Sequence, residues 1–317
     1  MSPSPRSTRN YLLVAVAGIL IGVLVAFALR PILGAPQPTP GLGLPSNLES
    51  LVQPTEEPSG SPDEPEVLMA VGDIGSCNVT SDDAVAELIK SIGGTVALIG
   101  DLAYEAGSDQ EFQDCFNPSW GAMKSRMHPA LGNHEYNTPG AAGYFDYFGS
   151  SAGTPGEGWY SYDLGGWHIV VLNANCGDIS CRKNSAQIQW LRQDLATAGA
   201  SCLMAYWHQP RWSSGKHGSQ AYVQPFWDVL EPAGVDVILN GHDHDYERIE
   251  VDGVRQFVVG TGGRSLYTFP GPALPTTVVR SDKAYGALWM ELSPGSYRWN
   301  FLSLGDSGFK DSGTGTC

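Results

Sequence analysis

The sequence predicts a mixed α/β fold, on three observations: short apolar runs without polar alternation, helical spacings between some of the runs, and glycine-centred turns between others. The runs are residues 67–71, 96–99, 169–172, 203–207 and 235–239. Strands covered on both faces read this way, because neither face needs polar side chains. Between the first two runs, Val85, Leu88, Ile89 and Ile92 recur at i, i+3, i+4 and i+7 behind a Thr80-Ser81-Asp82 start, which predicts a helix. Ile188, Leu191 and Leu195 repeat the pattern between the third and fourth runs. Leu164-Gly165-Gly166-Trp167 and Val251-Asp252-Gly253-Val254 read as tight hairpin turns, which adds antiparallel strands.

Three segments divide the 317 residues. Residues 11–29 carry no charge and follow Arg6 and Arg9, so the basic end is expected to stay in the cytoplasm and the rest to be exported. Ala26-Phe27-Ala28 has the small-x-small form of a cleavage site but lies inside the apolar run, so residues 1–30 are read as a signal anchor in preference to a cleaved signal peptide. Residues 31–65 follow as an extended, proline-rich linker with few aliphatics, and residues 66–317 are the folded catalytic part. A net charge of −15 offers no basic stripe for nucleic acid, so an anionic substrate must be attracted locally, as bound cations would do.

Six cysteines form an even set in a chain expected outside the cell, which predicts disulfides. Cys176 and Cys181 close so short a loop that they are the natural pair; Cys77–Cys115 and Cys202–Cys317 are the guesses for the rest. A cysteine zinc site would need paired CxxC knuckles, which the spacings lack.

Small clusters of metal-ligand residue types stand at the ends of apolar runs. In order they are Gly72-Asp73-Ile74-Gly75, Gly100-Asp101-Leu102-Ala103-Tyr104, Gly132-Asn133-His134-Glu135, Ala205-Tyr206-Trp207-His208 and Gly241-His242-Asp243-His244. Ligands in α/β sheets gather beyond the carboxyl ends of strands, so this register matters more than any single residue. Four of the seven histidines fall in the clusters, with two carboxylates, an amide and a phenol. Such a donor set points to two metal ions and a hydrolytic reaction.

With those residues in view, the chain resembles the calcineurin-like metallophosphoesterases and, within them, the purple acid phosphatases, over about residues 66–302. The order Gly-Asp-x-Gly, Gly-Asp-x-x-Tyr, Gly-Asn-His-Glu, x-x-x-His, Gly-His-x-His is met by Asp73, Asp101 with Tyr104, Asn133 with His134, His208, and His242 with His244. The tyrosine narrows the subfamily. The resemblance implies a single-domain four-layer α/β/β/α sandwich, because the extra β-sandwich domain of the plant-type enzymes has no counterpart before residue 66. It also implies that Asp73, Tyr104 and His244 hold one metal, that Asn133, His208 and His242 hold the other, and that Asp101 bridges them. The first set gathers more negative charge and suits Fe(III); the second is mostly neutral and suits divalent Fe, Zn or Mn. A tyrosine ligates only as phenolate, which needs a strongly charged cation near neutrality.

Two such ions can acidify a bound water, orient a phosphate ester and neutralise charge on its oxygens. The resemblance puts His134 in the substrate pocket, stabilising the transition state or protonating the leaving alkoxide, with support of the ligands through Glu135 as its other role. His217 stands in the loop 213–218, which resembles the stretch carrying substrate-facing histidines, but Gly218 replaces the second of the usual pair; a leaving-group role and an ordinary loop histidine both stay open. Arg248 is read as a structural ion-pair former, and His128 and His168 as structural. Tyr136, Tyr144, Phe145, Tyr147 and Phe148, with Trp207 and Trp212, are either core or the wall of an apolar entrance. The expected activity is phosphomonoester hydrolysis on small esters. A phosphodiesterase or nucleotidase on the same centre is the alternative, and a non-catalytic surface binding protein a more distant one.

Overall fold

The computed structural model describes residues 64–305 and 307–317; the expected N-terminal apolar segment and all but the end of the linker lie outside the described residues. Among the described residues no helix is long and apolar enough to cross a membrane. The strands are β1 (Glu66–Val71), β2 (Thr95–Ile99), β3 (Met127–Ala130), β4 (Tyr160–Leu164), β5 (Trp167–Val171), β6 (Cys202–Tyr206), β7 (Val237–Asn240), β8 (Tyr246–Val251), β9 (Val254–Val259), β10 (Thr277–Ser281), β11 (Gly286–Ser293), β12 (Ser296–Ser303) and β13 (Ser312–Thr316). They form two mixed sheets, one in the order β13-β12-β11-β1-β2-β3 and one in the order β10-β8-β9-β7-β6-β5-β4. β1, β2 and β3 run parallel, as do β5, β6, β7 and β9, so the chemistry-bearing loops leave from the same ends of both parallel cores.

The alternation of side chains across a strand explains how the sheets stack. Leu68, Ala70, Ala97 and Ile99 from one sheet share a core with Ile169, Val171, Met204, Tyr206, Val237 and Leu239 from the other. Their neighbours Met69, Val71, Val96 and Leu98 point the opposite way, onto Val85, Leu88, Ile89 and Ile92 of the helix Ser81–Ile92. On the far side, Val170, Leu203, Ala205 and Ile238 meet Ile188 and Leu191 of the helix Ala186–Thr197 and Phe226 and Leu230 of the helix Gln224–Leu230. Both faces of the central strands are therefore apolar, which is why those strands lacked alternation. Burying each such Leu or Ile contributes about 1.5–3 kcal/mol.

Local signals for the first helix act differently from the expectation. Thr80 occupies the N-cap position but makes no side-chain capping bond. Instead Ser81 Oγ donates to the Gly263 carbonyl at 2.5 Å, and Asp82 accepts the Ser76 N–H at 3.2 Å, so the helix start is tied to the loop after β9. Burial, reinforced by Asp83, pushes the Asp82 carboxyl up to about 6. The aromatic run 144–148 is a second departure. Tyr144, Phe145, Tyr147 and Phe148 are buried against Phe112, Phe116 and Trp120, so this run is core and no entrance wall. Trp207 is likewise buried, edge-on to Phe226.

All three cysteine pairs are bridged as expected: Cys77–Cys115, Cys176–Cys181 and Cys202–Cys317. Arg248 pairs with Asp311, Nε to Oδ2 at 2.8 Å and Nη2 to Oδ1 at 3.0 Å, and Tyr246 Oη donates to the same carboxylate at 2.6 Å. This ties β8 to the C-terminal strands and leaves Arg248 a structural role. His128 stacks on Tyr162 with ring centroids 3.8 Å apart.

His168 sits between Asp163 and Asp194, each nitrogen 2.8 Å from a carboxylate oxygen. Burial opposes its charge, but the bonds to Asp194 and Asp163 outweigh burial and raise its pKa. A raised folded-state pKa stabilises fully below the unfolded value of about 6.5, and the gain is lost as pH rises through the folded value. His168→Ala is therefore expected to cost about 1–3 kcal/mol at pH 5.5 and less at pH 9. Urea midpoints of both proteins across that range check it; a constant difference between them would refute the assignment.

Candidate metal centre

Each predicted cluster begins where a parallel strand ends. β1 runs into Gly72-Asp73, β2 into Gly100-Asp101, β3 toward Gly132-Asn133, β6 toward His208 and β7 into Gly241-His242. Backbone bonds lock these ends together: Asp73 N–H to Gly100 O at 3.1 Å, Gly72 N–H to Val259 O at 3.0 Å, and Gly241 N–H to His208 O at 2.9 Å. Five non-glycine residues have positive φ among the described residues, and three of them are Asp73 (60°), Asp101 (53°) and His242 (73°). Such backbone costs about 1–2 kcal/mol per residue and concentrates where function over-determines it. Two neighbouring glycines are required by close approach. A Cβ at Gly241 would lie 2.6 Å from Asp73 Oδ2, and one at Gly132 would collide with Asp101.

The side chains form one buried network. Tyr104 Oη lies 3.0 Å from Asp73 Oδ1, 3.2 Å from Asp101 Oδ2 and 3.2 Å from His244 Nε2. His208 Nε2 lies 3.0 Å from Asp101 Oδ2 and 3.9 Å from Asp73 Oδ1. Donor atoms of Asp101, His208 and His242 all fall within 4.8 Å of one another. Asp73 Oδ2 also accepts the His242 N–H at 2.9 Å.

Tautomers follow from the backbone. His208 Nδ1 is 2.7 Å from Ile99 O, and His244 Nδ1 is 2.8 Å from Ser265 O. A carbonyl can only accept, so each Nδ1 carries the proton and each neutral ring turns a lone pair at Nε2 toward carboxylate oxygens. That arrangement is repulsive unless a cation or an extra proton lies between, and pinning the distal nitrogen in this way is how metal-binding histidines are oriented. Although burial opposes it, Asp101 and Asp73 carry His208 up to about 10. Burial and His208 together push His242 down to about 3, keeping that ring neutral. Burial, then Asp101 and Asp73, push the Tyr104 phenol well above its ordinary range.

The residues present fit metal. Asn133 Oδ1 and His208 Nε2 are buried without a hydrogen-bond partner, although Asp101 approaches the latter at poor alignment. Each such atom costs roughly 1–3 kcal/mol when left unpaired. Three imidazoles, two carboxylates, a phenol and an amide converging on shared oxygens offer what first-row metal ions bind.

His134 and His217 stand at the rim. His134 donates its backbone N–H to Asp101 Oδ1 at 2.8 Å; its Nδ1 lies 2.6 Å from Glu105 O and its Nε2 3.9 Å from Asp101 Oδ2. His217 is exposed, with its ring 4.4 Å from that of His242. Glu135 acts through the backbone of the site. Its carboxylate accepts the backbone N–H groups of Asp101, Leu102 and Gly132 at 3.0, 2.7 and 2.7 Å, which fixes the loops that carry the ligand types. Burial and the adjacent Asp101 push Glu135 up to about 7.

Three more residues shape the site and escaped the sequence reading. Asp243, between the paired histidines, accepts Ser213 Oγ at 2.5 Å and the His217 N–H at 2.6 Å, so it holds the loop 213–218 over the site. Its place inside the Gly-His-Asp-His motif was the available signal. Tyr267 stacks on His244 at 4.0 Å, and Arg264 lies over the Tyr104 ring at 5.0 Å while pairing with Glu105 at 2.6 Å. Neither carries any local pattern.

Residues 67–246 match the calcineurin-like phosphoesterase family. Purple acid phosphatase 15 of Arabidopsis thaliana is 28% identical over 255 residues, covering 66% of this chain and 47% of that protein. Acid phosphatase type 7 of Homo sapiens is 26% identical, covering 65% of this chain and 52% of that protein. The chain thus spans about half the length of the curated relatives it matches. Purple acid phosphatase PPD1 from yellow lupin (Lupinus luteus) seeds superposes with a TM-score of 0.69 at 17% identity, over 80% of this chain and 54% of that one, which is a likeness of fold.

Proposed function

Because the chain belongs to the calcineurin-like phosphoesterase family, we propose that it is a dinuclear-metal phosphoester hydrolase acting on small phosphate monoesters. The observation that carries the reading is the position of Asp101. Its Oδ2 reaches Tyr104 Oη at 3.2 Å on one side and His208 Nε2 at 3.0 Å on the other, where a shared ligand belongs. Asp73, Tyr104 and His244 would hold one ion, Fe(III), and Asn133, His208 and His242 the other, a divalent ion. When bound, such a pair supplies Lewis-acid activation of water and neutralises charge on the phosphate oxygens.

The chain's own residues do the rest. With its Nδ1–H donated to Glu105 O, protonated His134 offers Nε2–H to the leaving oxygen. Water oxygen bonds to phosphorus, the bond from phosphorus to the alcohol oxygen breaks, and the His134 proton goes to that oxygen to give the free alcohol. The water protons remain with the released phosphate, which exchanges one with solvent as solvent reprotonates His134. His217, its N–H held by Asp243 and its ring beside His242, would contact the ester from the loop 213–218. Three disulfides support an oxidising compartment, and residues 11–29 support export with retention at the membrane.

Metal analysis with turnover of phenyl phosphate and diphenyl phosphate tests the proposal. Two metal equivalents and at least tenfold faster turnover of the monoester are expected. Faster diester turnover would make it a phosphodiesterase, and no turnover of either by the two-metal protein would leave a binding protein. A ferric tyrosinate absorbs visible light, so the purified protein is expected to be coloured and Tyr104→Phe to bleach it. A colourless protein with only divalent metal would sink the Fe(III) assignment.

A further inference from the structure

A cavity of about 420 Å³ opens beside Asn133, lined by Asn175, Cys176, Asp178, Gln209 and Tyr222 among others. We propose that it is the subsite for the alcohol part of the ester, and that it takes a flat aromatic alcohol bearing an ammonium group. The inference rests on the hydrolase reading above and adds a substrate class to it.

Position is the first argument. Asn133 is at once an expected ligand and part of the cavity wall, so the cavity adjoins the place where a phosphate would be held, beside the residue that precedes His134 in the chain. Hydrogen bonding is the second. Asn175 Nδ2 donates to Asn173 Oδ1 at 2.9 Å, which leaves Asn175 Oδ1 as an acceptor; Gln209 Nε2 donates to it at 3.0 Å. The Gln209 amide orientation is therefore fixed. The residue is buried, only 3% exposed, so this bond stiffens the floor of the cavity.

Charge and shape point to the same occupant. Asp178 is the one charged side chain lining this cavity; the adjoining hollow shares Asp178 and Tyr222 and adds Arg182. Tyr222 is one of two large hydrophobic side chains left exposed among the described residues, at 46%. An exposed ring on a cavity wall offers a face for an aromatic group or a cation. The wall is braced by the Cys176–Cys181 bridge and by Asp178 N–H and Ile179 N–H, which both donate to Asn175 O, at 2.9 and 3.0 Å.

The test compares phenyl phosphate with phosphotyramine, which shares the aryl leaving group and adds an ammonium. On the full metal-loaded chain, Asp178→Asn is expected to lower the phosphotyramine to phenyl phosphate ratio of kcat/KM by about 5–10-fold. Tyr222→Ala is expected to raise KM for both about fivefold with a smaller change in kcat, while the remote control Val278→Ser keeps the wild-type ratio. An unchanged ratio in Asp178→Asn together with an unchanged KM in Tyr222→Ala would overturn the subsite. If the wild type turns over neither ester, the hydrolase reading fails, and phosphotyramine binding by calorimetry still decides: weakening in both variants supports the subsite, equal affinity refutes it.

Discussion

Asp101→Asn is expected to cut phosphomonoester turnover by about 10³-fold, equivalent to roughly 4 kcal/mol of barrier, and to leave less than two equivalents of bound metal. Its Oδ2 stands between Tyr104 and His208, and its Oδ1 accepts the His134 N–H. An amide keeps one oxygen but loses the charge that two cations would share. Loss of fold would not explain such a result. Asparagine tolerates the left-handed backbone of this position, φ 53°, as well as aspartate does, and the Glu135 contact is to the backbone N–H of residue 101. Turnover within threefold of wild type, with both metals retained, would exclude Asp101 as the bridging ligand.

Removing the Cys202–Cys317 bridge is expected to bring the largest loss of stability, about 2–5 kcal/mol for the Cys202→Ala, Cys317→Ala double variant. The bridge closes a separation of 115 residues and joins the start of β6 in one sheet to the chain end beyond β13 in the other. Chain-entropy arguments rank it far above Cys176–Cys181, whose separation is 5. Urea denaturation under oxidising conditions reads the difference. Equal midpoints for double variant and parent would show that the sheets are held by packing alone.

The legible parts of the fold were those whose signal is local. β1, β2, β5, β6 and β7 were each foreseen to within a residue or two because both faces of each are buried. The hairpins at Gly165-Gly166 and Asp252-Gly253 were foreseen because a tight turn demands particular residues. β10 to β13 were missed. β11 depends on β1, far away in the chain, while β12, with burial that varies along its length, pairs with its chain neighbours β11 and β13 and lacks the uniform apolar signal. The aromatic run 144–148 was ambiguous for the same reason, since its neighbours Phe112, Phe116 and Trp120 lie some thirty residues earlier.

By itself, the sequence determined which side chains stand at the strand ends, Asp73, Asp101, Asn133, His208 and His242, because residue type and distance from an apolar run are properties of adjacent positions. Only the tertiary structure decided their surroundings. It set Tyr267 on His244, Arg264 over Tyr104, Glu135 under the ligand-bearing loops and Gln209 with Tyr222 beside Asn133. Those contacts arise from stacking two sheets whose strands are far apart in the chain, and no local periodicity encodes which loops then meet.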